Sequence, residues 1–350
     1  MKKRFHLLIS LLVLLLLISG CSNEKPEDES GWHDSSQGAF YLDESATPLT
    51  GWQTIDGNHY YFHPNRSGAM VSGWLTLPQG RYYFDSTGVM QTGWQVIDGN
   101  RYYFHPDRGG AMVCGWLDLP EGRYYFDGSG IMQTGWLQLS GKQYYIRQNG
   151  VMTVGTLQIE GKDYHFTSTG EPFWLVNLNY PLPDNYQLDL VEVEGFQVSK
   201  DCAKPLLAMM EACRAAGYQC VINTAYRDRD YQQMLWDNRY NNYISQGHSP
   251  TVAAELSAQF VLPPGYSEHH TGLAVDITGT EQMYSWLEQH APKYGFILRY
   301  PEDKTQWTGV SYEPWHFRYV GQELALELQT LDFTPEEYLY YLTEASHCTG

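Results

Sequence analysis

A stack of short β-hairpins followed by an α+β domain is the fold class this 350-residue sequence predicts. Three observations carry the expectation. Glycine-tryptophan pairs end at Trp52, Trp74, Trp94, Trp116 and Trp136, spaced 22, 20, 22 and 20 residues apart, which marks internal repetition in paired units of 42 residues. Past Trp174 the periodicity stops, and helical and strand patterns alternate over roughly 180 residues, enough for one hydrophobic core. Within that second half, Ser267 to Asp276 and Glu313 to His316 supply the side-chain types of a metal centre.

The chain starts with Lys2, Lys3 and Arg4 and an apolar run from Leu7 to Ile18. That run is too short to span a bilayer as a helix and reads as a signal peptide over residues 1–20. Ile18-Ser19-Gly20-Cys21 resembles the lipobox of bacterial lipoproteins. The resemblance implies cleavage before Cys21, lipid on its sulfur, and a protein anchored on the extracellular face of the cytoplasmic membrane. Residues 21–37, rich in Ser, Glu, Asp, Asn and Gly, have little to bury and are expected to form a flexible tether.

The formal net charge is −18, and loss of the leader leaves 19 basic against 40 acidic residues. Such a chain is repelled by nucleic acid and by bare anionic lipid, so a nucleic-acid partner is excluded. Of six cysteines, Cys21 belongs to the lipobox and Cys114 stands where the equivalent repeat has Ser72. Cys202, Cys213, Cys220 and Cys348 are free to pair in an oxidising compartment, with a connectivity that spacing does not fix.

Residues 38–172 form the repeat region. Each repeat carries an aromatic run, such as Tyr60-Tyr61-Phe62 or Tyr82-Tyr83-Phe84, a Gly or Asn turn and a methionine such as Met70, Met90, Met112 or Met132. Two aromatic or β-branched stretches joined by a turn read as a hairpin. Hairpins that cannot bury their faces alone must stack on neighbours, which predicts a solenoid with atypical ends. The region resembles the choline-binding, or cell-wall-binding, repeats of Gram-positive surface proteins. That resemblance implies aromatic cages for the quaternary ammonium of choline on teichoic acids. It places Trp52, Trp74, Trp94, Trp116 and Trp136 in cages, with Tyr61, Tyr83, Tyr103 and Tyr125 beside them. Two other readings stay open: glucan or another wall polysaccharide as the ligand, and aromatics that serve only as the solenoid core.

Residues 173–350 form the second domain. An amphipathic helix is expected from Ser199 to about Ala216, ended by Gly217, then a strand at Cys220 to Ile222. Helices are expected over Asp230 to Ser245, Val252 to Phe260 and Glu281 to His290, with a strand at Phe296 to Leu298. Thr334-Pro335-Glu336-Glu337 opens a last helix with a capping box and a first-turn proline.

Strand parity carries the metal argument. Leu273, Val275 and Ile277 alternate with Ala274 and Asp276, so a strand here buries the first set and aims Asp276 at the opposite face. In His316 to Val320 the same alternation puts His316 and Arg318 together. His269 reaches in from the loop before Gly272. A His-Asp-His set leaves a fourth tetrahedral position open, as in catalytic rather than structural zinc sites. Glu313 is then the candidate general base. His270 points elsewhere by parity and stays a lesser alternative ligand. The remaining histidines carry no ligand pattern. Ser267 lacks a Gly-x-Ser-x-Gly elbow and is expected to hydrogen-bond rather than attack.

Ser267-x-His269-x-x-Gly272-x-Ala274-x-Asp276, followed by Glu313-x-Trp315-His316, resembles the signature of VanY-type zinc D-alanyl-D-alanine carboxypeptidases. Leu175-Val176-Asn177, Pro181-Leu182-Pro183, Tyr226-Arg227 with Gln232, Pro263-Pro264-Gly265, Arg299-Tyr300-Pro301 and Tyr312 to Gly321 resemble further landmarks of that family in the same order. Thr224-Ala225 departs from the Ser-Gly that commonly precedes the Tyr-Arg pair. The resemblance implies zinc on His269, Asp276 and His316, Glu313 as base, and Arg227 as the cation that steadies the substrate carbonyl. Ser267, Gln232, Arg318 and Tyr226 are expected around substrate or behind these groups. The implied substrate is a peptidoglycan stem pentapeptide losing its terminal D-Ala. An L,D-carboxypeptidase or an endopeptidase would use the same metal set, and a non-catalytic wall-binding surface lipoprotein is the rival from another class.

Overall fold

The computed structural model describes residues 30–347 except Gln37 and Asn185. The expected leader, Cys21 and Cys348 lie outside the described residues. The chain divides into two compact units, Met1–Val113 and Cys114–Gly350.

In the first unit, hairpins pair Gly31–Ser35 with Gly38–Leu42, Gly51–Ile55 with Asn58–His63, Gly73–Leu77 with Gly80–Phe84, and Gly93–Ile97 with Asn100–His105. Asp56-Gly57 and Asp98-Gly99 hold positive φ at both positions. This is the two-residue turn whose twist matches that of the strands it joins. Phe62, Phe84 and Phe104 are fully buried, so the third aromatic of each run is the core of the stack.

Stacking is fixed by a methionine entering the next hairpin's turn. Gly88 has φ +79°, and a Cβ there would lie 2.2 Å from Met70 Sδ. Glycine is therefore required by backbone conformation and by space together. The methionines of the repeats thus serve the stack.

The expected tether to residue 37 is corrected by the first hairpin, which begins at Gly31. Trp32 follows a glycine 20 residues before Trp52. Its ring packs 5.3 Å from Tyr41 and 5.0 Å from Tyr60. The polar residues His33, Asp34, Ser35 and Ser36 conceal the strand in the composition; aromatic packing on one face is enough to order it.

In the second unit, hairpins pair Gly115–Leu119 with Gly122–Phe126, Gly135–Leu139 with Lys142–Ile146, and Gly155–Ile159 with Lys162–Phe166, the last extended by Pro172–Phe173. The α+β domain follows. Its sheet is antiparallel throughout, in the order Val221–Thr224, Ala274–Thr278, His316–Tyr319, Phe296–Leu298. Helix Lys200–Ala215 is capped by the Ser199 hydroxyl. It presses Leu206, Met209 and Met210 on the sheet residues Ile222, Val275, Ile277 and Phe317.

Helices Arg229–Ser245, Pro250–Ala258 and Glu281–His290 lie within a residue or two of expectation. The hairpin Leu190–Val193 with Phe196–Ser199 and the helix Gln322–Leu331 were not anticipated. The capping box forms: Thr334 N–H donates to Glu337 Oε2 at 2.8 Å and Glu337 N–H to Thr334 Oγ1 at 3.2 Å. Cys202, Cys213 and Cys220 are buried thiols, and Cys114 is exposed with its Sγ 3.8 Å from the Gly128 carbonyl.

Candidate metal centre

Asp276 stands directly opposite His316 on adjacent antiparallel strands, so register alone brings carboxylate and imidazole together. His269 comes from a short 3-10 turn, Glu268–Thr271, closed by Gly272 at φ +69°. A Cβ on Gly272 would lie 2.8 Å from the Ser199 backbone nitrogen, so only glycine lets this loop approach the cap of helix Lys200–Ala215.

Nδ1–H of His269 donates to the Ala225 carbonyl at 2.6 Å, which leaves the Nε2 lone pair facing Asp276 Oδ2 at 3.4 Å. Nδ1 of His316 is 3.1 Å from Asp276 Oδ1 and 3.5 Å from Glu313 Oε2. One ligand atom from each of His269, Asp276 and His316 lies within 4.8 Å of the others, and all three residues are buried.

These residues fit a divalent cation on the evidence of their own geometry. Asp276 Oδ1 is buried and accepts no hydrogen bond although His316 Nδ1 is close. The lone pairs therefore converge on a shared point instead of on each other. Two nitrogens and a carboxylate oxygen with a place left over suit a catalytic zinc ion. The electrostatics agree. Burial opposes charge on His316, but its contacts with Asp276 and Glu268 outweigh that and push it up to about 9. The centre thus attracts positive charge. Burial holds His269 down at about 4, in the neutral form that can ligate.

Asp276 was expected to be aimed and not buried; it is both, with its strand covered on both faces. Glu313 is carried by the turn before His316, whose N–H donates to the Glu313 carbonyl at 3.0 Å. Burial first, then the negative charge of Asp276, pushes its carboxyl up to about 7. Arg227 Nη2 donates to Asp276 Oδ2 at 2.6 Å, and its backbone N–H reaches the His269 carbonyl. Gln232 anchors to the Leu262 carbonyl at 2.6 Å.

Arg227, Gln232, Ser267, His269, Asp276, Glu313 and His316 line one cavity of about 480 Å³, with Arg239, Phe260, Tyr300 and Trp315 on its walls. Two of the residues expected around substrate or behind these groups are absent from its lining. Arg318 shares the His316 face but lies outside this cavity, donating to the Trp174 carbonyl at 2.9 Å and approaching Glu268 at 3.5 Å. Two residues along a strand move a side chain by nearly 7 Å, enough to put it behind the site. Tyr226 does not line the cavity either; its backbone N–H donates to Gln197. His270 turns away, with Nδ1 at 2.8 Å from the Arg227 carbonyl.

Sequence reading missed Glu268, whose Oε2 is 3.8 Å from the second ring nitrogen of His316. Arg299 holds the other oxygen at 2.8 Å. A carboxylate behind a metal-binding histidine orients the ring and raises its basicity. Only its place beside His269 hinted at this. Arg239 was missed for lack of any motif.

The expected repeat aromatics pair as neighbours across strands. Trp52 packs edge-on to Tyr61 at 5.3 Å and to Tyr82 of the next hairpin at 4.8 Å. Trp74 repeats this with Tyr83 and Tyr102, and Trp94 packs on Tyr103. Trp116 pairs with Tyr125 and Tyr144, and Trp136 with Tyr145 and Tyr164.

Residues 195–322 match the family model for VanY, D-alanyl-D-alanine carboxypeptidase. A bifunctional D-Ala-D-Ala dipeptidase and D-Ala-D-Ala carboxypeptidase of Enterococcus gallinarum is 34% identical over 188 residues, which cover 49% of this chain and 94% of that protein. The chain belongs to the VanY family of D-alanyl-D-alanine carboxypeptidases.

A second relative, the D-alanyl-D-alanine carboxypeptidase of Enterococcus faecalis, is 38% identical over 173 residues, 47% of this chain and 64% of that one. The chain thus spans somewhat less than two thirds of the length of this relative. Among solved structures, a zinc complex of the vancomycin-resistance D,D-pentapeptidase VanY is 36% identical, covering 47% of this chain and 97% of that one, at a TM-score of 0.45. The VanY domain is preceded by repeats: residues 49–81 and 71–116 match a choline-binding repeat model, and 134–152 a cell wall binding repeat model.

Proposed function

We propose that this protein is a zinc-dependent carboxypeptidase that removes the terminal D-alanine from peptidoglycan stem pentapeptides while its repeats hold a wall polymer. The observation that carries the reading is the convergence of His269, Asp276, His316, Glu313 and Arg227 in one cavity. The E. gallinarum and E. faecalis relatives support the substrate class.

His269, Asp276 and His316 would hold zinc, which when bound would supply Lewis acidity. Glu313, kept near neutrality by burial, accepts the proton of the attacking water at a carboxylate oxygen and returns it to the leaving amine. Arg227 turns its guanidinium on the developing oxyanion. Gln232 keeps that arginine in place: its Oε1 is 3.5 Å from Arg227 Nη1 while its amide is tied to Leu262. Retention of every role argues against a purely adhesive protein.

Penta- and tetrapeptide muropeptides incubated with zinc or with a chelator, and read by mass spectrometry, test the proposal. Chelator-sensitive loss of one alanine from the pentapeptide is expected. Loss from the tetrapeptide alone makes the protein an L,D-carboxypeptidase, cleavage within cross-links an endopeptidase, and no cleavage removes the enzymatic reading. Glu313→Ala should retain zinc and lose turnover by a factor of about 100 or more.

The repeats fit choline-bearing teichoic acid, a ligand class supported by the choline-binding models and by the row of tryptophans. We also infer the leader over residues 1–20 and lipid on Cys21, which would place the enzyme between membrane and wall. With the first hairpin starting at Gly31, the repeats run over 31–172 and the peptidase over 173–350, while residues 21–29 of the expected tether lie outside the described residues.

A further inference from the structure

The tryptophans of the repeats fall into two sets that only the structure separates. Arg81 lies over the Trp74 ring with its guanidinium carbon 3.9 Å from the centroid. Arg101 covers Trp94 at 4.6 Å, and Arg123 covers Trp116 at 4.8 Å. Each arginine belongs to the hairpin of the tryptophan it covers, two residues before the tyrosine opposite that ring. This is the diagonal position from which a long side chain reaches across a strand pair.

In the other hairpins the same position holds Ala39, His59 and Gln143. His59 is bonded instead to the Thr54 hydroxyl at 2.9 Å. Exposure follows the substitution without exception: Trp32, Trp52 and Trp136 are 44%, 38% and 41% accessible, whereas Trp74, Trp94 and Trp116 are half-buried.

We infer that Arg81, Arg101 and Arg123 are built-in occupants of three aromatic faces, so that capture of a quaternary ammonium ligand falls to Trp32, Trp52 and Trp136. The inference rests on the proposed choline-type ligand and deepens it by naming the competent hairpins. The physical reason is competition for one quadrupole. An indole face attracts any cation within about 6 Å of its centroid. A guanidinium on the same hairpin is present at the high effective concentration of a tethered group, and it is always charged. A free ammonium ligand must displace it. Asp118 strengthens the hold at Trp116, since its carboxylate is 3.3 Å from Arg123 Nε.

Choline chloride titrated into the full chain by calorimetry tests this, comparing the wild type with the combined Arg81→Gln, Arg101→Gln, Arg123→Gln variant and with the corresponding Lys variant. These are surface positions of otherwise intact hairpins, and unchanged circular dichroism checks the fold. The wild type should saturate at one equivalent for each of Trp32, Trp52 and Trp136. The Gln variant should gain further equivalents, one per uncovered ring, and the Lys variant should keep the wild-type stoichiometry. Equal stoichiometry in wild type and Gln variant overturns the shielding inference and leaves the ligand reading standing. Absence of binding in both overturns the ligand reading, and the inference falls with it. As a second readout, choline should shift the fluorine resonances of 5-fluorotryptophan at positions 32, 52 and 136; shifts at 74, 94 and 116 in the wild type would refute the assignment.

Discussion

Glu336→Ala should destabilise the peptidase domain more than any other exchange on its last helix. Arg299 is fully buried and its charge is met by two carboxylates. Nε donates to Glu268 at 2.8 Å, and Nη1 and Nη2 donate to Glu336 at 3.0 and 2.5 Å. Arg318 also leans on Glu268. Removing Glu336 leaves two buried guanidinium groups to one carboxylate. Breaking a buried pair from one side costs about 3–5 kcal/mol, because the orphaned charge cannot recover its hydration. Asn177 loses its acceptor as well, at about 1 kcal/mol.

For a domain of this size 1 kcal/mol corresponds to roughly 2–4 °C, so the melting temperature should fall by about 10–20 °C. Calorimetry of the zinc-loaded protein reads this directly. The pH dependence has a definite sign. Although burial opposes it, the charges of Arg299 and Arg318 hold the Glu268 carboxyl well below the usual carboxylate range. Its contribution is therefore full above the unfolded pKa and lost only as pH falls through the folded one. Replacing Arg299 and Glu336 together by apolar residues, with Glu268 kept as the partner of Arg318, should be milder than the single change. A loss below about 1 kcal/mol for Glu336→Ala, the size of a surface ion pair, would show that Arg299 is solvated and refute the reasoning.

Two further outcomes follow from the geometry. Asp276→Ala removes the carboxylate between the two imidazoles and should abolish zinc retention through gel filtration, measured by atomic absorption, whereas Glu313→Ala keeps it. His165 is buried, bonded to the Thr156 hydroxyl and held down at about 4 by burial. The unfolded chain therefore binds more protons below about pH 6.5, and stability should fall between that pH and 4 by up to about 3 kcal/mol. Urea melts at pH 7.5 and 4.5 should show a smaller difference for His165→Gln than for the wild type.

The metal set was legible because parity and short motifs are local: Asp276 and His316 face each other once two strands pair in register, and each strand announces itself by alternation. Helix limits were legible for the same reason, down to the Thr334 capping box. What stayed hidden depends on partners distant in sequence. Nothing local in the sequence pairs Glu268, Arg299 and Glu336, which folding packs into one buried cluster. Arg318 shows the limit of parity, which gives the face of a strand but not the distance along it. Trp32 was lost to the polar residues around it. The covering arginines were visible as Arg before Tyr-Tyr-Phe at residues 81, 101 and 123, but only register shows that this position looks across at the tryptophan.

The seam at residue 172 is a change of sequence pattern and not a break in packing. Within the second unit, Ser168 N–H donates to the Tyr338 hydroxyl at 2.7 Å, and that hydroxyl donates to Glu327 at 2.9 Å. Lys142 bridges to Glu323 at 3.0 Å, and Phe173 joins the core of Ile297, Leu324, Leu328 and Tyr338. The Trp174 carbonyl fixes Arg318, which leans on the Glu268 that backs His316. The support of the metal centre thus begins in the segment leaving the last repeat. A chain starting at Cys114 should keep both its stability and its activity on soluble pentapeptide. One starting at residue 171 exposes Tyr338 and removes the Ser168 N–H that donates to its hydroxyl, and should lose about 2–4 kcal/mol through lost buried area and that lost bond. Equal melting temperatures for the two would mean that the last hairpins are passengers, and that the peptidase folds without them.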